Sequence, residues 1–373
     1  MADRQRFHDK FWKGIIPVIK PFIAGKFNAT NEELYVDGPC IIISNHVTDW
    51  DPLMVGLCCQ DQAYFVASEH ITRFSLFGLI KWVFDPIIRF KGTVGAITVK
   101  DILRKTRDGK NVVLFPEGVR TMDGVTMPIL PSTGKLIKRS GAAMVTYRLQ
   151  GGYFSSPNWS ENGIRRTKMT GGPVHVVSSE EIKNMSVDEI NEMINQDLHV
   201  DAYEEQAKSP VAYKGKDLAE NLENILFICP ECKKLNTMRS KGDTVKCSQC
   251  GYESTYDVFG KLTGKFDSVR DWAAWQRSET AAKAALGEKV QATGKLYTIK
   301  DRIKQMVVSG DILLDGESLK VCDKELSLSE IPDMEIHGRH ELVFTVGHDY
   351  YEISVDKPYS ACSFLWFYNA YKA

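Results

Sequence analysis

Two Cys-x-x-Cys pairs fix the middle of this chain before anything else is read. Cys229-Pro-Glu-Cys232 and Cys247-Ser-Gln-Cys250 are separated by fourteen residues, and each presents two thiols from one tight turn. Four thiolates so spaced satisfy a closed tetrahedral zinc site, and Gly251 suits the turn after the second pair. Residues 225–256 are therefore expected to form a small zinc ribbon. With four cysteine ligands no coordination position stays open, so the Zn2+ is expected to be structural. The other cysteines of the odd total of nine (Cys40, Cys58, Cys59, Cys322 and Cys362) sit among apolar neighbours. That usage suits buried thiols in a reducing compartment better than a disulfide framework.

The sequence before the ribbon reads as α/β. Cys40-Ile41-Ile42-Ile43 is a buried strand, 52–59 a helix, 63–67 a strand, 98–106 a helix closed by Asp108-Gly109, and 111–115 and 143–149 further strands. Strands alternating with helices predict a mixed sheet with flanking helices, placed here in residues 28–207. Ser186-Val-Asp-Glu189 fits a capping box ahead of a helix running to about Gln206, and the loop Lys208–Lys216 marks the boundary. Residues 1–27 alternate Phe7, Phe11, Trp12, Ile15, Ile16, Val18, Ile19, Phe22 and Ile23 with Lys10, Lys13, Lys20 and Lys26. This spacing suits either an amphipathic helix lying in a membrane interface or one packed on the next domain.

After the ribbon and a short helical stretch carrying Trp272 and Trp275, residues 285–373 change character. Short alternating runs at 290–299, 305–308, 312–314, 318–321, 335–336, 341–346 and 350–355 precede an apolar helix from Ser360 to Tyr371. This order of elements resembles a PH- or GRAM-like barrel.

The chemistry points to the end of the first strand. Cys40–Ile43 runs into Asn45-His46-Val47-Thr48-Asp49-Trp50-Asp51-Pro52, so a histidine opens the loop after a strand. Histidine is the commonest general base near neutral pH, and a carboxylate is needed to fix its tautomer. Five residues along a helix would turn His46 and Asp51 about 140° apart, so the two meet only across a turn. Pro52 disfavours helical geometry at Asp51 and favours a turn there. Asp51 also suits the simple role of helix cap. A second segment, Val112-Val-Leu-Phe115-Pro116-Glu117-Gly118-Val119-Arg120-Thr121, is a strand, a sharp turn and a cation. Arg120 offers a planar fork suited to phosphate, and Ile87-Ile88-Arg89-Phe90-Lys91-Gly92 adds two more cations.

Asn45-His46-x4-Asp51, Arg89 in IIRFKG, and Phe115-Pro116-Glu117-Gly118-x-Arg120 together resemble the first three blocks of the glycerolipid acyltransferases. That family is typified by 1-acylglycerol-3-phosphate acyltransferase, and the similarity covers about residues 35–205. The resemblance implies that His46 takes the acceptor hydroxyl proton and Asp51 orients His46. It implies an acceptor site of Arg89, Glu117, Gly118 and Arg120, and Lys91, the second cation of its segment, completes the expected substrate-binding set. It also implies a fatty acyl thioester donor (acyl-CoA or acyl-carrier protein) and a lysophosphatidate-like acceptor. Val119 and Thr121 stand where the family usually has Thr and Ser, and Ile88 where many members carry an aspartate. These departures bear on the acceptor head group.

Lys+Arg number 47 against 48 Asp+Glu, so no overall charge draws the chain to nucleic acid, and no nucleic-acid partner is expected. No apolar run reaches the length of a spanning helix, and the N-terminus does not read as a signal peptide. The expected setting is cytoplasmic and peripheral, on the inner face of a membrane. Two rival readings are a lipid-binding or regulatory protein on an acyltransferase fold and a zinc-ribbon nucleic-acid-binding protein. Intact His46, Asp51, Glu117 and Arg120 argue against the first, and the balanced charge against the second.

Overall fold

The computed structural model describes residues 2–90, 95–165, 168–300 and 302–373, with the backbone alone for residues 2–10. The described residues fall into two compact units, one from 2–90, 95–157, 164–165 and 168–211, the other from 158–163, 212–300 and 302–373.

The first unit is built on a seven-stranded sheet: β1 Ala29–Asn31, β2 Cys40–Ser44, β3 Ala63–Ser68, β4 Ile87–Arg89, β5 Asn111–Leu114, β6 Ala143–Gln150 and β7 Met169–Val177. Its order is β1-β7-β6-β2-β5-β3-β4, with β6 and β7 antiparallel and every other neighbouring pair parallel. Parallel strands are covered on both faces and read as continuous apolar runs. β2 shows this: all five of its residues are buried. Cys40 and Ile42 enter one core with Trp12, Phe27, Val113, Val145 and Tyr147. Ile41 and Ile43 enter another with Ile102, Ile137, Met144, Ile190 and Ile194. The parallel arrangement carries the C-terminal ends of β2, β3, β4, β5 and β6 to one edge of the sheet, where loops can converge.

The helix Ala2–Phe27 puts Trp12, Ile23 and Phe27 into the first of these cores, with Ile15, Ile16 and Ile19 packed against it. Packing thus claims one face of a segment whose spacing suited two roles, while Val18 and Phe22 stay exposed. Phe11 meets Trp82 edge-on at 5.7 Å. The capping box at Ser186 is present, but its helix ends at Leu198 rather than near Gln206. Asp201 then caps a separate helix, Ala202–Lys208, by accepting from the Tyr203 and Glu204 amides. A capping aspartate inside a run of helix formers was the missed signal.

The second unit holds a three-stranded sheet, β8 Met238–Lys241, β9 Thr244–Cys247 and β10 Glu253–Thr255, in the order β10-β9-β8. The helix Val269–Ala285 packs Trp272 and Gln276 against the entry to it. Gln276 Oε1 accepts from the Phe227 and Ile228 amides, and Trp272 Nε1 donates to the Ile228 carbonyl. An antiparallel half-barrel follows: β11 Val290–Lys300, β12 Ile303–Leu314, β13 Ser318–Val321, β14 Lys324–Ser327, β15 Met334–His337, β16 Glu341–Val346 and β17 Asp349–Val355. Its order is β14-β13-β12-β11-β17-β16-β15, and the helix Ala361–Lys372 buries Phe364 and Phe367.

The half-barrel differs from the sequence reading in several details, as does the first sheet, whose β1 and β7 were not read. The runs at 305–308 and 312–314 are one strand, because Gly310 marks a close approach and not a turn. A Cβ there would lie 2.4 Å from Cys322 Sγ. β14 escaped notice because Lys-Glu-Leu-Ser is the short, charged sequence typical of an edge strand. Cys322 is exposed, unlike the buried Cys40, Cys58, Cys59 and Cys362.

Candidate active site

β2 ends in Ser44, and the chain then turns sharply. Asn45 anchors the turn: its Nδ2 donates to the Leu149 carbonyl and its Oδ1 accepts from the Leu149 amide, both at 2.8 Å. Asparagine carries the donor and the acceptor this pairing needs, whereas an aspartate would set a carboxylate against a carbonyl. Leaving either backbone group unpaired at this depth costs about 1–3 kcal/mol.

The turn continues through Val47 and Thr48 and closes on Asp51, which is fully buried. Asp51 Oδ2 accepts from the Val47 amide at 2.6 Å and the Thr48 amide at 2.8 Å, and Oδ1 accepts from Thr48 Oγ1 at 2.6 Å. His46 Nδ1 lies 2.9 Å from the same Oδ2. A carboxylate receiving these donors acts as an acceptor, so the Nδ1–H of His46 points to it and the lone pair falls on Nε2. The ring is 19% exposed and stacks on Phe115, with centroids 4.6 Å apart. His46 and Asp51 therefore meet across a turn, and Asp51 simultaneously opens the helix Asp51–Gly56 with Pro52 in its first turn.

The loop after β5 grips the histidine from the other side. Glu117 Oε1 accepts from the His46 amide and Oε2 from the Met127 amide, each at 2.6 Å. The Thr121 amide donates to the His46 carbonyl at 2.9 Å. Glu117 is thus buried with both oxygens engaged by backbone. Burial pushes its carboxyl up to about 8, against the opposing pull of those two N–H donors. Gly118 has a positive φ of 72°, and a Cβ there would sit 2.6 Å from Arg89 Nη1. The glycine lets both the turn and the guanidinium occupy this space. Arg120 is buried, with Nη1 donating to Asp49 Oδ2 at 2.5 Å and Nη2 to the Ser156 carbonyl at 2.9 Å. His46, Asp51, Arg89, Glu117, Gly118 and Arg120 converge at one edge of the sheet. Lys91 lies outside the described residues.

Asn45, Thr48, Asp49 and Phe115 shape this site without having been assigned a part from sequence. Thr48, three residues before Asp51, carried a local signal, since a threonine hydroxyl so spaced reaches a carboxylate across a turn. Asn45 carried none, because its partner lies 104 residues away.

In the second unit, the four paired cysteines form a cluster whose sulfurs all lie within 4.8 Å of one another. Cys229 and Cys250 Sγ are 3.6 Å apart, and Cys232 and Cys247 Sγ 3.7 Å. These are distances of free thiols, not of disulfides.

Residues 26–150 match the family model described as Acyltransferase. A curated relative, "1-acyl-sn-glycerol-3-phosphate acyltransferase BAT2, chloroplastic" of Brassica napus, is 27% identical over 168 residues, which is 42% of this chain and 46% of that protein. The chain therefore spans about half the length of the curated relative it matches. Among solved structures, the 1-acyl-sn-glycerophosphate (LPA) acyltransferase PlsC from Thermotoga maritima aligns with a TM-score of 0.46 and 18% identity, over 57% of this chain and 86% of that one.

Glu117→Gln keeps the size but loses one acceptor, so either the His46 or the Met127 amide is left unpaired. Such a loss of about 1–3 kcal/mol at the histidine backbone should lower turnover about 5- to 150-fold, with secondary structure unchanged by circular dichroism. A folded variant with full activity would mean that Glu117 does not hold His46.

Proposed function

We propose that this chain moves a fatty acyl group from a thioester donor, acyl-CoA or acyl-carrier protein, to the hydroxyl of a lysophosphatidate-like glycerophospholipid; the match of residues 26–150 to the Acyltransferase model and the likeness to a 1-acyl-sn-glycerol-3-phosphate acyltransferase support this reading. The observation that carries the reading is the 2.9 Å contact of His46 Nδ1 with the buried Asp51 carboxylate. It leaves Nε2 as the base. Nε2 takes the acceptor hydroxyl proton as the oxygen attacks the thioester carbonyl carbon. The C–S bond then breaks, and the leaving thiolate takes the proton back from the imidazolium. Asp51 stabilises that imidazolium. Arg89 and Arg120 supply positive charge for the acceptor's phosphate, and Glu117 positions His46 through its backbone.

His46→Ala should reduce acyl transfer to lysophosphatidate about 10²–10⁴-fold, measured with a radiolabelled acyl donor. Substantial turnover by a folded variant would remove His46 from the mechanism.

Zinc completes the reading of the second unit. Bonds of about 2.3 Å from one ion to four thiolates at tetrahedral corners put the sulfurs about 3.8 Å apart. The spacings of 3.6 and 3.7 Å fit that shape. Cys229, Cys232, Cys247 and Cys250 would hold the ion, whose contribution is to stabilise the fold. Elemental analysis should find one zinc per chain, and a chelator should lower the melting temperature. A metal-free protein of equal stability would refute the assignment.

The acceptor and product are amphiphiles, so the reading includes peripheral attachment to a bilayer. No helix among the described residues is long and apolar enough to cross one. The helix Phe77–Phe84 buries none of its residues and carries Lys81 as its one charge. Phe74 and Leu76 just before it and Leu79 within it are more than half exposed. Apolar side chains with a lysine suit an interfacial face. The double variant Leu76→Glu/Leu79→Glu should fail to float with anionic vesicles that retain the wild type. Equal flotation would locate attachment elsewhere.

A further inference from the structure

The turn that carries His46 and Asp51 carries another carboxylate between them. Asp49 has a side chain 72% exposed, yet its Oδ2 receives the Nη1 of Arg120, which is only 6% exposed. The remaining contacts of that guanidinium are few. Nη2 donates to the Ser156 carbonyl, and the buried Nε has no hydrogen-bond partner among the described residues. A guanidinium fork is shaped to take two oxygens of one anion, and here a single carboxylate oxygen covers it from the solvent side. A donor of this guanidinium left over in this way points to an anion with more oxygens than Asp49 supplies to Arg120.

We propose that Asp49 is a selectivity residue of the acceptor site. It occupies the face of Arg120 that an acceptor phosphate would use, and so disfavours phosphate monoesters relative to acceptors lacking a phosphate. Two effects act in the same direction. A phosphate must displace the carboxylate from Arg120, and a dianion must then sit near the charge it has displaced. The displacement is feasible because Asp49 is mostly in water, where an ion pair is weak. As a statement about turnover this rests on the acyltransferase reading. As a statement about anion binding it does not.

Asp49→Asn keeps the shape and removes the charge. Two quantities test it: the ratio of kcat/KM for lysophosphatidate to that for monoacylglycerol, and calorimetric binding of sn-glycerol 3-phosphate. Both should rise about tenfold, with the kinetic gain in KM, after discounting the Coulomb term for the exposure of Asp49. Adding Arg120→Gln should abolish the gain, as expected for two groups acting on one anion. Asp49→Ser serves as the second variant should the first not fold. An unchanged or lower ratio in a folded variant, or a gain that persists without Arg120, overturns the proposal. If glycerol 3-phosphate binding tightens while neither lipid is acylated even by the wild type, the anion site stands and the acyl-transfer reading falls. If both lipids are acylated and Asp49→Asn changes nothing, the reverse holds.

Discussion

The site depends on one buried carboxylate. Asp51 is fully enclosed and receives the Val47 and Thr48 amides, the Thr48 hydroxyl and the His46 ring. A charge so placed is tolerable only when hydrogen-bonded throughout. Those bonds wind residues 46–51 into a single turn. That turn brings a histidine and a carboxylate five residues apart into contact, which a helix would prevent. The tautomer, the direction of Nε2 and the start of the next helix all follow from it.

Around that turn the histidine is clamped by its backbone more than by its side chain. Glu117 takes its amide, the Thr121 amide takes its carbonyl, and Phe115 supports the ring. The two sequence motifs are therefore one mechanical object. Glu117 is the clearest case. The family resemblance implied a substrate-binding part for it, while in the structure both of its oxygens accept from main-chain amides.

Much of this was legible beforehand. The apolar runs at β2, β5 and β6 identified a covered sheet, and Pro52 after Asp51 argued for a turn. The paired cysteines declared themselves by spacing. What escaped was of two kinds. Some features are non-local, such as the grip of Asn45 on Leu149 or the ion pair of Arg120 with Asp49, 71 residues away. Others disguise themselves as something else. Gly310 reads as a turn but makes room for Cys322, and the charged β14 reads as a loop. The N-terminal helix shows the limit of periodicity, since one apolar pattern served two roles until Trp12, Ile23 and Phe27 were seen in the core.

The bond between Asn45 and Leu149 also has a temporal meaning. His46 lies early in the chain, but the strand that fixes its turn lies 104 residues later. Closing so long a loop carries an entropic cost, and the bond cannot form before residue 149 is present and β6 lies beside β2. A ribosome-bound chain would therefore carry the histidine and aspartate long before it could hold them in register. The anchor of this turn is complete only when β6 docks beside β2.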